Sequence, residues 1–198
     1  MKHTSTRRSC LRSALAGLCL LPLVSNAANV VVGTGSDTSY IVLSSGNLGV
    51  LIYEVSYDAS SGPHDTKFLL DQVLAGDSSI SMAFSNWGSA SEPNYSLDSI
   101  TSNLVTEAAS FSPPFVYWAQ WVSGGEAGYP DAVPVSTGSW SYGSGISSPY
   151  RLIAPGSWDA FVYSDGSSPP SATLIPETSS LLLAPLGALV VFRRRRNG

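Results

Sequence analysis

Cysteine, histidine and positive charge are nearly missing from the long central part of this chain. Between residues 28 and 176 there is no cysteine, one histidine, His64, and two basic side chains, Lys67 and Arg151. Without cysteine this region can form neither a disulfide nor a thiolate metal site, so packing must hold it together. Thirteen acidic residues against two cations leave it a net charge of −11, which the whole-chain value of −4 conceals. Nucleic-acid binding needs clustered Lys or Arg to neutralise phosphates and release counterions, and that class of partner is excluded.

The scarcity of catalytic side chains narrows the chemistry as well. A Ser-His-Asp hydrolase would have to use His64, which stands beside Asp65 with no nucleophile-elbow sequence in the chain. There is no His-Glu-x-x-His, no Cys-rich metal pattern and no phosphate-binding loop. Asp58-Ala-Ser60-Ser-Gly62 has oxygens at alternate positions but lacks the acidic series and terminal glutamate of a calcium loop. No metal, cofactor or catalytic residue is therefore expected. Paired carboxylates for glycoside cleavage remain open, because spacing in sequence says nothing about separation in space.

What the chain does contain in abundance lies at its ends. Residues 1–27 carry a basic start (Lys2, Arg7, Arg8, Arg12), an apolar run from 14 to 24, and Ser25-Asn26-Ala27 before Ala28. Small residues at 25 and 27 suit a signal peptidase, with cleavage expected between Ala27 and Ala28. Both cysteines of the chain, Cys10 and Cys19, fall in this removable segment. Arg7-Arg8 leaves the twin-arginine route open beside the general one.

The other end reads Pro176-Glu177-Thr178, then an apolar run (Leu181, Leu182, Leu183, Leu186, Leu189, Val190, Val191, Phe192), then Arg193, Arg194, Arg195 and Arg196. As a helix the 14 residues from 179 to 192 span about 21 Å, against roughly 30 Å of bilayer hydrocarbon. Moving each arginine across costs roughly 2.5 to 3.5 kcal/mol, so the arginines hold the cytoplasmic side and the domain before them lies outside. This tripartite end resembles the PEP-CTERM sorting signal of Gram-negative bacterial surface proteins, with threonine in place of the second proline. The resemblance implies processing near Pro176-Glu177 by an exosortase, a membrane-embedded transpeptidase-like protease. It further implies a transient stay in the inner membrane through the C-terminal helix, then a cell-surface or extracellular location.

Between the signals, β-branched runs punctuated by Gly, Asn, Ser and Pro predict strands at 30–32, 40–43, 48–57, 80–84, 95–101, 115–122, 140–142, 151–154 and 158–163. One helix is expected over 63–75, with Pro63 in its first turn, Leu69, Leu70, Val73 and Leu74 on one face and Gly76 as a cap. Gly33-x-Gly35 lacks the third glycine of a dinucleotide fingerprint and is rejected as one. The fold class expected is α+β: a β-rich single domain over 28–166, mostly antiparallel sheet with one packed helix. A β-grasp-like core fits this order, and a β-sandwich is the alternative. The signal helix and the C-terminal hydrophobic helix flank it, and residues 167–174 form a Ser/Pro spacer before the sorting signal at 175–198.

Five tryptophans are the distinctive feature of the interior. Phe115-Val-Tyr-Trp-Ala-Gln-Trp121 places aromatics on both sides of a strand. Together with Gly33-Thr-Gly-Ser-Asp-Thr-Ser-Tyr-Ile-Val42, Gly138-Ser-Trp-Ser-Tyr142, Arg151-Leu152 and Gly156-Ser-Trp-Asp-Ala-Phe161, it resembles a recurring module of bacterial sorted surface proteins. Trp118, Trp121, Trp140 and Trp158 are the expected ligand surface, stacking on sugar rings of extracellular polysaccharide. The function expected is a non-enzymatic binding or structural module of the cell envelope or extracellular matrix. A secreted hydrolase acting on extracellular polysaccharide is the alternative.

Overall fold

The structure, a computed structural model, describes residues 28–125 and 138–170. The expected signal peptide with Ala27, the motif Pro176-Glu177-Thr178, the apolar run from 181 to 192, Arg193 to Arg196 and the second half of the spacer lie outside the described residues. Among those described, no helix is long and apolar enough to cross a membrane.

The chain runs β1 (Ala28–Gly33), β2 (Asp37–Ser45), β3 (Gly49–Tyr57), a 3₁₀ turn (Ala59–Ser61), α1 (Thr66–Gly76), β4 (Ile80–Asn86), β5 (Tyr95–Ser102), β6 (Val105–Ala108), β7 (Tyr117–Ser123), β8 (Ser141–Tyr142) and β9 (Trp158–Ser164). These form a six-stranded sheet ordered β1-β3-β2-β9-β7-β8 and a three-stranded sheet ordered β4-β5-β6. β1 runs parallel to β3, and β2 parallel to β9; the other ladders are antiparallel. The fold class is α+β, β-rich with mixed sheets.

The register explains why both alternations of the central strands are apolar. Ile41 lies opposite Tyr53, and Leu43 opposite both Leu51 and Phe161. With Val55, Tyr57 and Trp118, most of these side chains form the face that receives the helix. The intervening residues Val42, Ile52, Trp158 and Ala160 form a second cluster on the opposite face, edged by Tyr40, Val50, Trp121 and Trp140. A strand buried on both faces reads as a continuous hydrophobic run rather than an alternating one.

α1 lays Leu69, Leu70 and Val73, all fully buried, across β1, β2 and β3. Each such side chain contributes about 1.5 to 3 kcal/mol by leaving water. The helix begins at Thr66, because the Asp65 carboxylate accepts from the Phe68 N–H at 2.8 Å and caps it. Pro63 is therefore outside the helix, and Gly76 is its last residue rather than its cap. Gly35, at φ +150, passes so close to Tyr57 that a Cβ would collide with backbone there, which accounts for the Gly-x-Gly turn.

Two further expectations change. The run at 151–154 is not a strand; only Leu152 bridges, to Asp65, because Arg151 turns inward. β6 was not anticipated: at four residues, with Glu107 buried and its neighbours exposed, it carries almost no hydrophobic alternation.

Candidate functional site

The two sheets do not close on each other completely. Between β5 and the β7–β8 edge lies a cleft of about 410 Å³, within the range of small-ligand pockets. Leu97, Trp118, Ile146 and Phe161 form its apolar floor, all of them buried. Trp87, Tyr95 and Phe111 line one side, Tyr117 and Tyr142 the other, with Asn94, Ser96, Asp98, Gln120 and Ser144 as polar members. Trp87 is 72% exposed, Phe111 68% and Tyr142 53%, so aromatic surface continues from the cleft to the outside.

The local sequence holds these rings in place. The Trp87 indole N–H donates to Ser96 Oγ at 2.8 Å, and Ser96 Oγ donates to Asp98 Oδ1 at 3.1 Å. Ser85 donates to the other oxygen, Asp98 Oδ2. The loop carrying Trp87 is closed by Asn86, whose Oδ1 accepts from the N–H groups of Gly88 at 2.9 Å and Asn94 at 3.1 Å. Across the cleft the Tyr142 hydroxyl donates to that of Tyr117 at 3.1 Å. The segment after β8 bridges the sheets: Gly143 N–H donates to Gln120 O at 2.8 Å, Ser147 Oγ to Pro93 O, and Lys67 N–H to Ile146 O at 2.7 Å. The cleft is thus pre-formed and tied to both sheets and the helix.

The four expected tryptophans do not make one surface. Trp118 is 5% exposed, donates its N–H to Glu107 O at 3.0 Å and belongs to the main core and the cleft floor. Trp158 is buried on the far face, stacked on Tyr40 with centroids 4.1 Å apart. Trp121 and Trp140 pack half-buried beside it, with both indole nitrogens enclosed and unpartnered. As a correction, an exposed stacking platform of these four is absent, because the sheet is apolar on both faces and takes them in. The ring that reaches solvent is that of Trp87. Its signal in the sequence was a large aromatic inside an otherwise Ser-, Gly- and Pro-rich turn.

His64 does stand beside a serine: Nε2 lies 3.0 Å from Ser61 Oγ and 3.1 Å from Asp58 O. The Ser61 hydroxyl, however, donates to Asp58 O at 2.7 Å. With a carbonyl as its second neighbour, Nε2 is placed as a donor, which is the wrong role for a general base. The Asp58 carboxylate, held below its usual range by the Ser60 hydroxyl and N–H, points to Ser60 and does not orient the imidazole. The ring is sandwiched against Phe68 at 4.1 Å instead. This is a turn, not a nucleophile–base pair. Among the described residues no group of three or more His, Cys, Asp or Glu is placed to hold a metal ion.

Arg151-Leu152 and Gly156-Ser-Trp-Asp-Ala-Phe161 meet in a buried network. Arg151 Nη2 contacts Asp159 Oδ2 at 2.8 Å and Nε contacts Oδ1 at 3.0 Å, while Nη1 donates to Gly124 O at 2.9 Å. Asp159 Oδ1 also accepts from Thr66 Oγ1 at 2.6 Å and Gln120 Nε2 at 3.2 Å. Every charge is matched, so the network joins helix, sheet and loop rather than waiting for a ligand.

Compared with known families, curated proteins and solved structures, the chain matches no family model, no curated protein and no solved structure.

Proposed function

We propose that this chain is an exported cell-envelope or extracellular-matrix protein whose folded domain binds saccharide, without catalysis, in the aromatic cleft between its sheets. The observation that carries the reading is the exposed rim of Trp87, Phe111 and Tyr142 above an apolar floor, with a few fixed polar groups between. Flat aromatic faces stack on the apolar faces of sugar rings, and the polar groups fix orientation. Cleavage by paired carboxylates would need a second acid, and among the described lining residues Asp98 is the single carboxylate.

The address of the protein is part of the same proposal. Signal peptidase releases the domain after Ala27; β1 starts pairing at Ala28, where a mature chain would begin. Pro176-Glu177-Thr178, the short apolar helix and Arg193 to Arg196 then engage the inner membrane and an exosortase. The finer fold reading, a β-grasp-like core, is supported by the central parallel pair β2–β9, each member flanked by an antiparallel neighbour, with α1 following β3.

Affinity electrophoresis of the full chain through gels holding a panel of polysaccharides tests the binding reading. Retardation lost in Trp87→Ala and Phe111→Ala supports it; no retardation by any polymer, or retardation unchanged in both variants, overturns it. Mass spectrometry of the exported protein tests the sorting reading, which an intact C-terminus at Gly198 contradicts.

A further inference from the structure

We infer that the saccharide taken by this cleft carries free ammonium groups, as in an amino-sugar polymer lacking its N-acetyl groups. The inference rests on the binding reading above and specifies its ligand by charge. Aromatic rings present a negative face, and a cation over such a face gains from about 0.5 kcal/mol when exposed to about 2 when desolvated. The protein already uses this attraction next door. Lys67 Nζ lies 4.6 Å from the Phe84 ring centroid and 5.5 Å from that of Tyr95, a cleft residue.

Inside the cleft the charge is uncompensated. Asp98 receives hydroxyl hydrogen bonds from Ser85 and Ser96, and among the described residues it forms no ion pair. A carboxylate has about four acceptor positions, so positions remain for an ammonium to donate to. Neither basic residue of the region is free to answer an anion: Lys67 is held by Asp71 at 2.6 Å and Arg151 by Asp159 at 2.8 Å. A uronate, sulfate or phosphate would therefore meet Asp98 with no unpaired cation to offset it, in a domain of net charge −11. A quaternary ammonium would satisfy the rings but has no N–H for Asp98 or Asn94. A primary ammonium on a hydroxyl-bearing ring satisfies both.

Calorimetric titration of the full chain with tetramers of glucosamine, N-acetylglucosamine and a uronic acid tests this, with phosphocholine as a fourth arm. The glucosamine tetramer is expected to bind on the order of tenfold more tightly than its acetylated counterpart, the uronate not at all. In Asp98→Asn the ratio falls toward one. Equal affinity for the amine and acetylated tetramers overturns the charge inference and leaves saccharide binding standing. Tighter binding of phosphocholine than of the amine tetramer overturns it as well. Failure of every sugar overturns the binding reading together with it. The ligand comparison on the unmodified chain decides even where Asp98→Asn does not fold.

Discussion

The Arg151 guanidinium and the Asp159 carboxylate meet as a fork inside the domain, with Nη2 to Oδ2 at 2.8 Å and side chains that are 4% and 0% exposed. Thr66 and Gln120 complete the carboxylate, and the guanidinium Nη1 donates to Gly124 O and Leu152 O. Breaking a buried pair by removing one partner strands the other charge, at a cost of about 3 to 5 kcal/mol. Arg151→Met should lower the urea unfolding free energy by that amount. A loss within about 1 kcal/mol, the size of a surface pair, would show the network is not closed as described.

Tyr53 donates to Asp77 Oδ2 at 2.9 Å, and this contact gives stability two pH limbs. Asp77 is held below its ordinary 3.8, first by the Ser79 hydroxyl and then by the Ser79 N–H and Tyr53. A depressed carboxyl contributes stability that is whole above the ordinary value and is lost as pH falls through the folded one. Tyr53 is pushed above the ordinary phenol value of 10.0, by burial first and then by Asp77. Its contribution is whole below that value and is lost as pH rises toward the folded one. Unfolding midpoints measured across pH should show the acid limb flattened more by Ser79→Ala than by Tyr53→Phe. Only Tyr53→Phe should flatten the alkaline limb.

Gly145 sits at φ +152 with Asn94 Oδ1 against the place where a Cβ would be. Gly145→Ala should cost about 1 to 3 kcal/mol in unfolding free energy and weaken polysaccharide retardation, since Asn94 and Ser144 line the cleft. Full retention of both would show that this crossing segment does not shape the site.

The β5–β6 hairpin turns on Asn103 at φ 49 and Leu104 at φ 70, and Leu104 is fully exposed. Leucine is disfavoured in that region by about 1 to 2 kcal/mol, whereas Asn-Gly suits such a two-residue turn. Leu104→Gly should raise the thermal midpoint, with a gain of about 1 kcal/mol. A fall would mean that Leu104 makes a contact in the full chain.

Elements defined by local pattern were legible in the sequence. The Val-rich runs of β1 to β3 and the face Leu69, Leu70, Val73 follow directly from periodicity. Arg151 was not, because an apolar run around it reads as a strand until Asp159, eight residues on, is known to be its partner. The cleft escaped for the same reason. Trp87, Asp98, Tyr117 and Tyr142 come from four separate segments, and only the packing of one sheet beside the other brings them to one opening. The tryptophans of the second half were visible as aromatics, yet which face the sheet would bury depends on register, and both faces turned out to be taken.

Hydrogen-exchange mass spectrometry of the full chain, with and without an oligosaccharide cut from the polymer that retards it most, tests the cleft most directly. Slowed exchange is expected in peptides spanning 86–98 and 142–147, with unchanged exchange around 57–64, the His64 turn. Slowing confined to the His64 turn or to the far face around Tyr40 and Trp158, with none at 86–98, would contradict binding in the cleft.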